Sequence, residues 1–200
     1  MPDRYTITAE CYLARARARL DEHRPESLFY AAFELRCGVE ARLREYLEFQ
    51  DHVAKKKKKG WKVAALGKTA NRTFRLGDKV ARFTFLDPQD RSVLAVYYYT
   101  PVTSKLQRKA EKLGNYLHAA RAFHPADDPW WQDLRALLES TYSSLKRSTR
   151  GTLLGAPLVS PAGRLVMNTV GDRPRWLEKG ARIIINVEYL LEYPDELDAT

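Results

Sequence analysis

The residues in this sequence best able to do chemistry are cations. Lys55, Lys56, Lys57, Lys58 and Lys59 stand in one block, and Lys105, Arg108, Lys109 and Lys112 recur at a spacing that places them on one side of a helix. Ammonium and guanidinium groups gathered in this way attract phosphate oxygens, and each phosphate they neutralise releases condensed counterions. The whole chain leans the same way, with 34 Lys+Arg against 25 Asp+Glu and a formal net charge of +9. That surplus points to RNA, DNA or another polyanion as partner. The plainer alternative is a solvated helix face and a self-repelling lysine run. Tyr97, Tyr98 and Tyr99 could supply a surface on which bases stack. Strand alternation offers the other reading, with two of the three rings turned to the core and one to solvent.

Other motifs carry less. The run from Gly60 to Thr69, GWKVAALGKT, ends like a phosphate-binding loop. Such a loop needs a glycine five residues before the Gly-Lys-Thr glycine, and that position is Lys62. Gly67 is therefore expected to end a short helix near Trp61–Leu66. His23, His52, His118 and His124 show no paired spacing with one another or with Cys11 and Cys37. A metal centre and a cofactor are therefore not expected. No Gly-x-Ser-x-Gly elbow is present.

The elements that must carry these residues follow from periodicity. Leu13, Ala16 and Leu20 predict a helix over about 8–22. A second helix from Pro25–Ser27 to about Gln50 buries Leu28, Ala32, Leu35, Val39, Leu43 and Tyr46, with Phe29, Phe33 and Leu47 widening the apolar face. Glu40 and Arg44 form an i,i+4 pair on it. The two helices should make an antiparallel hairpin. KVARFTFL and SVLAVYYYT, joined by DPQD, read as a β-hairpin. A third long helix spans about 104–122 and carries the basic face. Asp128 and Pro129 open a fourth, with Trp130, Leu134, Leu137, Thr141 and Leu145 inward. TLLGAPLV, RLVMNTV and ARIIINVEYLLEY read as short C-terminal strands.

The segment SLFYAAFELRCGVEARLREYLE resembles the second helix of HEPN-superfamily proteins, and the resemblance covers about residues 5–50. Some members of that superfamily are metal-independent ribonucleases that carry an Arg, four to six residues and then a His. Arg17 and His23 match that spacing, at the end of the first helix rather than in a later one. The resemblance thus implies a helical bundle and, through Arg17 and His23, a ribonuclease acting as a toxin or defence effector.

The sequence as a whole predicts an α+β fold: about four amphipathic helices, a central β-hairpin and C-terminal strands in a small antiparallel sheet. It reads as a single domain over 1–200, organised as a helical hairpin (1–50), a basic segment with a short helix (51–78), a β-hairpin (79–101), a helix pair (104–149) and C-terminal strands (152–193). No apolar run approaches the ~18 residues of a membrane span, and MPDRYTITAE lacks a signal peptide's apolar core. A cytoplasmic protein without membrane contact is expected, with Cys11 and Cys37 reduced and buried as packing residues. The leading functional expectation is a nonenzymatic protein that binds nucleic acid or another polyanion. A HEPN-like ribonuclease and a scaffold that binds a protein partner or self-associates are the alternatives.

Overall fold

The computed structural model describes residues 6–48, 50–58, 60–118, 122–159, 165–170, 183–190 and 194. They divide into two compact units. The first comprises Met1–Ala70 and Val102–Thr149, the second Asn71–Pro101 and Arg150–Thr200.

The first unit is helical. α1 (Ala9–Asp21) starts where Thr8, in extended backbone, accepts the Cys11 N–H through its side chain and satisfies one orphan donor. Its buried residues are Ala9, Leu13, Ala16 and Leu20, the stripe its periodicity predicts. The chain reverses through His23, which takes a left-handed φ of 54°. α2 (Pro25–Glu48) follows with proline at its first position. The two helices run antiparallel: the Ala9 N–H donates to Glu45 Oε1 at 2.7 Å, Arg15 Nε donates to Glu34 at 2.8 Å, and the Arg19 guanidinium lies over the Tyr30 ring.

The predicted stripe of α2 is buried throughout. Leu47 joins it, but Phe33 is exposed and Phe29 half-buried, while Ala31, Gly38, Ala41 and Arg42 are buried, so the buried face is turned away from the side the sequence suggests. Gly38 explains how tightly that face is held. A Cβ there would stand 2.8 Å from Leu145 Cδ2 and 3.1 Å from the Tyr12 Cβ, so the missing side chain lets three helices meet.

α3 (Lys55–Lys58) is a single turn, and α4 (Val63–Phe74) is longer than expected. Gly67 does not end it. Gly67 is buried in its interior, and a Cβ there would collide with the Gln107 side chain, so this glycine serves close approach. The helix stops instead at Arg75, whose φ of 57° is the left-handed turn that ends helices. α5 (Ser104–Gly114) begins at Thr103, whose hydroxyl accepts the Leu106 N–H. It ends earlier than expected. Gly114 and Asn115 are weak helix formers, the chain tightens into a 3-10 turn over Asn115–Leu117, and His118 is extended. Residues 119–121 lie outside the described residues.

α6 (Trp130–Thr149) opens as expected, with Asp128 Oδ1 accepting the Trp130 N–H at 2.9 Å. Its buried face is Leu134, Leu138, Thr141, Leu145 and Ser148. Leu138 replaces the expected Leu137, and Trp130 is half-buried among other aromatic rings. Lys109 against Ser140 and Tyr116 against Trp130 set α5 and α6 antiparallel.

The second unit holds the strands. β1 (Val80–Leu86) and β2 (Val93–Tyr99) form the expected hairpin, closed by side-chain turns at Asp87 and Asp90. β3 (Leu158–Val159) and β4 (Leu165–Val166) pair in a separate two-stranded sheet. β5 (Ile184–Leu190) adds to the other edge of β1, which becomes the centre of an antiparallel sheet ordered β2-β1-β5. The C-terminal strands therefore serve two sheets, and the fold is α+β. Among the described residues no helix is long and apolar enough to cross a membrane. Cys11 and Cys37 are free thiols, half-buried rather than fully buried, and burial pushes Cys37 up to about 11.

Candidate nucleic-acid interface

α5 buries Leu106, Ala110 and Leu113, and this fixes where its cations go. Lys105, Arg108 and Lys112 are exposed. Lys109 lies at the border with α6, where its Nζ donates to the Ser140 carbonyl at 2.9 Å, to the Ser140 hydroxyl and to the Ser144 hydroxyl at 3.1 Å. Burial is the first cause that holds its pKa below the ordinary lysine value, and the positive charges of Lys105 and Arg147 add to it. Lys105 on α5 and Arg147 on α6 thus converge on Lys109, and three like charges share one seam.

Carboxylates do not relieve this repulsion. Among the described residues the ion pairs fall mostly on arginines of the first two helices: Arg15 with Glu34, Arg17 with Asp21 and Glu139, Arg36 and Arg44 with Glu40, and Arg42 with Glu45. Lys105, Arg108, Lys109, Lys112 and Arg147 have none among the described residues. The surplus charge is therefore local. The ammonium groups act as compact, strongly hydrated point charges, suited to phosphate oxygens without demanding a fixed geometry.

The lysine block is a second, separate element. Lys55, Lys56 and Lys57 are exposed on α3, and Lys58 Nζ donates to the Glu48 carbonyl at 2.8 Å, tying α3 to the end of α2. Lys59 lies outside the described residues. The short turn sits against α2, while the α5 face borders α6.

Arg17 and His23 are differently employed. Arg17 Nε and Nη2 donate to Asp21 at 3.0 and 2.7 Å, and Nη1 and Nη2 reach Glu139 at 2.9 and 3.2 Å. That double fork links α1 to α6 and raises the guanidinium pKa. His23 sits exposed in the turn after α1, and no hydrogen bond joins it to Arg17 among the described residues. The tyrosine run is also taken up by packing. Tyr98 and Tyr99 are buried, and Tyr97 is half-buried edge-on against Phe85. It presents no open stacking surface. Among the described residues no group of His, Cys, Asp and Glu could hold a metal ion.

Two features escape the sequence reading. One is the contribution of α6, where Arg147 lies in the basic run KRSTRG; only the antiparallel pairing brings it to Lys109. The other is a groove of about 630 Å³ lined by Phe29, Tyr30 and Phe33 of α2 and by Tyr116, Leu117 and His118. Tyr30 is 59% and Phe33 46% exposed. Behind the groove Trp130 contacts Phe29, Tyr116 and Trp131, and stacks on His124 at 4.1 Å. The imidazole is held by Asp128 at 2.8 Å. The period-3.6 pattern assigns Phe29 and Phe33 to the core, so the half-burial of the one and the exposure of the other were not legible.

No family model, curated protein or solved structure matches this chain.

Proposed function

We propose that this protein is a nonenzymatic binder of nucleic acid or a similar polyanion, and that the seam between α5 and α6 is its contact surface. The observation that carries this reading is the convergence of Lys105 and Arg147 on Lys109, three cations without carboxylate partners among the described residues. Holding like charges together costs free energy in the unbound protein, and a phosphate placed among them relieves it. The Ser140 carbonyl and the hydroxyls of Ser140 and Ser144 take the three Lys109 N–H donors, so Lys109 contributes fixed charge at the seam while the exposed Lys105 and Arg147 would donate to the phosphate. Lys112 and Arg108 extend the charged surface along α5. Lys55, Lys56 and Lys57 supply a second cationic point that adds sequence-independent affinity.

The experiment is a titration of fluorescently labelled RNA and DNA with the protein and with a Lys105→Glu/Arg147→Glu variant. Both changes are on exposed side chains, so the fold is kept. Loss of binding in the variant supports the surface. Equal binding by both proteins places the contact elsewhere.

A further inference from the structure

The groove and the basic seam share one helix. At about 3.6 residues per turn, Lys105, Lys109, Lys112 and Tyr116 fall within roughly a quarter of the circumference. The helical backbone continues through Gly114 and Asn115 into the 3-10 turn that carries Tyr116. The row of cations on α5 therefore leads to a ring that lines the groove. Tyr116 also touches Trp130 on the α6 side, so it stands between the charged seam and the aromatic cluster.

We infer that the groove receives an unpaired base, so that the polyanion this protein holds is a single-stranded nucleic acid. The inference rests on the binding reading above. Every base has a π-face, and aromatic side chains beside a cationic track are the means by which single strands are held without sequence readout. The groove has such walls in Tyr30, Phe33 and Tyr116, with Leu117 adding apolar surface. Its volume of about 630 Å³ lies within the range of small-molecule sites. The Arg19 guanidinium, paired with Glu22, lies over the Tyr30 ring and holds it in place at the groove. A duplex keeps its bases stacked inside and could use only the seam. An apolar helix from a protein partner would gain nothing from the cations that lead into this groove.

The test compares three labelled probes of equal length: a single-stranded RNA, the same sequence as a duplex, and a sugar-phosphate chain without bases. The expected result is that the protein binds the single strand about tenfold more tightly than the baseless chain, the gain of a stacked base. A Tyr30→Ala/Phe33→Ala variant should lose that preference while binding the baseless chain as before. Tyr30 is 59% and Phe33 46% exposed, and an unchanged circular dichroism spectrum confirms that the variant is folded. Equal affinity for all three probes would overturn the inference and leave the seam as a phosphate-binding surface. An undiminished preference in the variant would also overturn it, because the bases would then lie outside the groove. Binding to none of the probes would remove both readings.

Discussion

Lys109 Nζ lies 2.9 Å from the carbonyl oxygen of Ser140, so a cation of α5 is anchored to the backbone of α6. The bond fixes the seam at which the two helices pool their charge. It also places Lys109 where Lys105 and Arg147 both repel it.

The lowered pKa of Lys109 gives a titration to follow. In the folded protein burial, then Lys105 and Arg147, disfavour its charged form. Its folded pKa is below its unfolded value, so the unfolded chain binds more protons in the window between that lowered pKa and the ordinary 10.5. Stability contributed by this group therefore rises with pH across that window. With lysine amines labelled for NMR, Lys109 should titrate below the ordinary lysine value of 10.5. Lys105→Gln should move it upward, and a bound polyanion should do the same. A Lys109 that titrates at the ordinary value, unmoved by Lys105→Gln, would show that the charges do not meet.

Arg42 makes a different prediction, on stability. It is 3% exposed, and its Nε donates to the Ser148 carbonyl at 2.9 Å and to the Tyr46 hydroxyl at 3.0 Å, while Nη1 pairs with Glu45. It thus joins α2 to the C-terminal end of α6, where carbonyls lack helical partners. Arg42→Ala should cost about 3 kcal/mol in urea unfolding, since it opens a buried void and leaves the Ser148 carbonyl to the Tyr46 hydroxyl, which donates to it at 3.1 Å. Arg42→Met keeps the volume and should cost less. Equal losses would mean that volume is irrelevant there.

The two interior glycines should respond oppositely to alanine. At Gly38 the new Cβ meets Leu145 and the Tyr12 Cβ, neither of which can leave. The overpacking penalty of about 1–3 kcal/mol then outweighs the helix propensity gained, about 1 kcal/mol. At Gly67 only the end of the Gln107 side chain stands in the way, so the loss of its bond to the Val102 carbonyl is offset by propensity. Thermal unfolding should show a lower Tm for Gly38→Ala and a nearly unchanged one for Gly67→Ala. The reverse order would contradict the packing described.

The parts of this fold that sequence periodicity reveals are those whose faces are settled locally. The α1/α2 stripe, the Glu40–Arg44 pair, the Asp128 cap and the alternation of Ala81, Phe83 and Phe85 need only their own element. What periodicity misses depends on neighbours far along the chain. Gly67 looks like a terminator until Gln107 is beside it, and β5 finds β1 across about half the chain length. Phe29 and Phe33 lie on the apolar arc of α2, yet Trp130 and Trp131 cover Phe29 only in part and Phe33 stays exposed. The candidate interface divides the same way. The spacing on α5 places its cations on one face, whereas Arg147 and the hydroxyls that hold Lys109 come from α6.

The most direct test of the charged seam is the salt dependence of binding to single-stranded RNA, measured by anisotropy between about 50 and about 200 mM salt. Each phosphate neutralised should contribute about −0.7 to the slope of log K against log salt. The predicted result is a steep slope in the wild type that becomes shallower by roughly two contacts' worth in Lys105→Glu/Arg147→Glu. A slope unchanged by those substitutions, or no binding at the lower salt, would contradict the central claim.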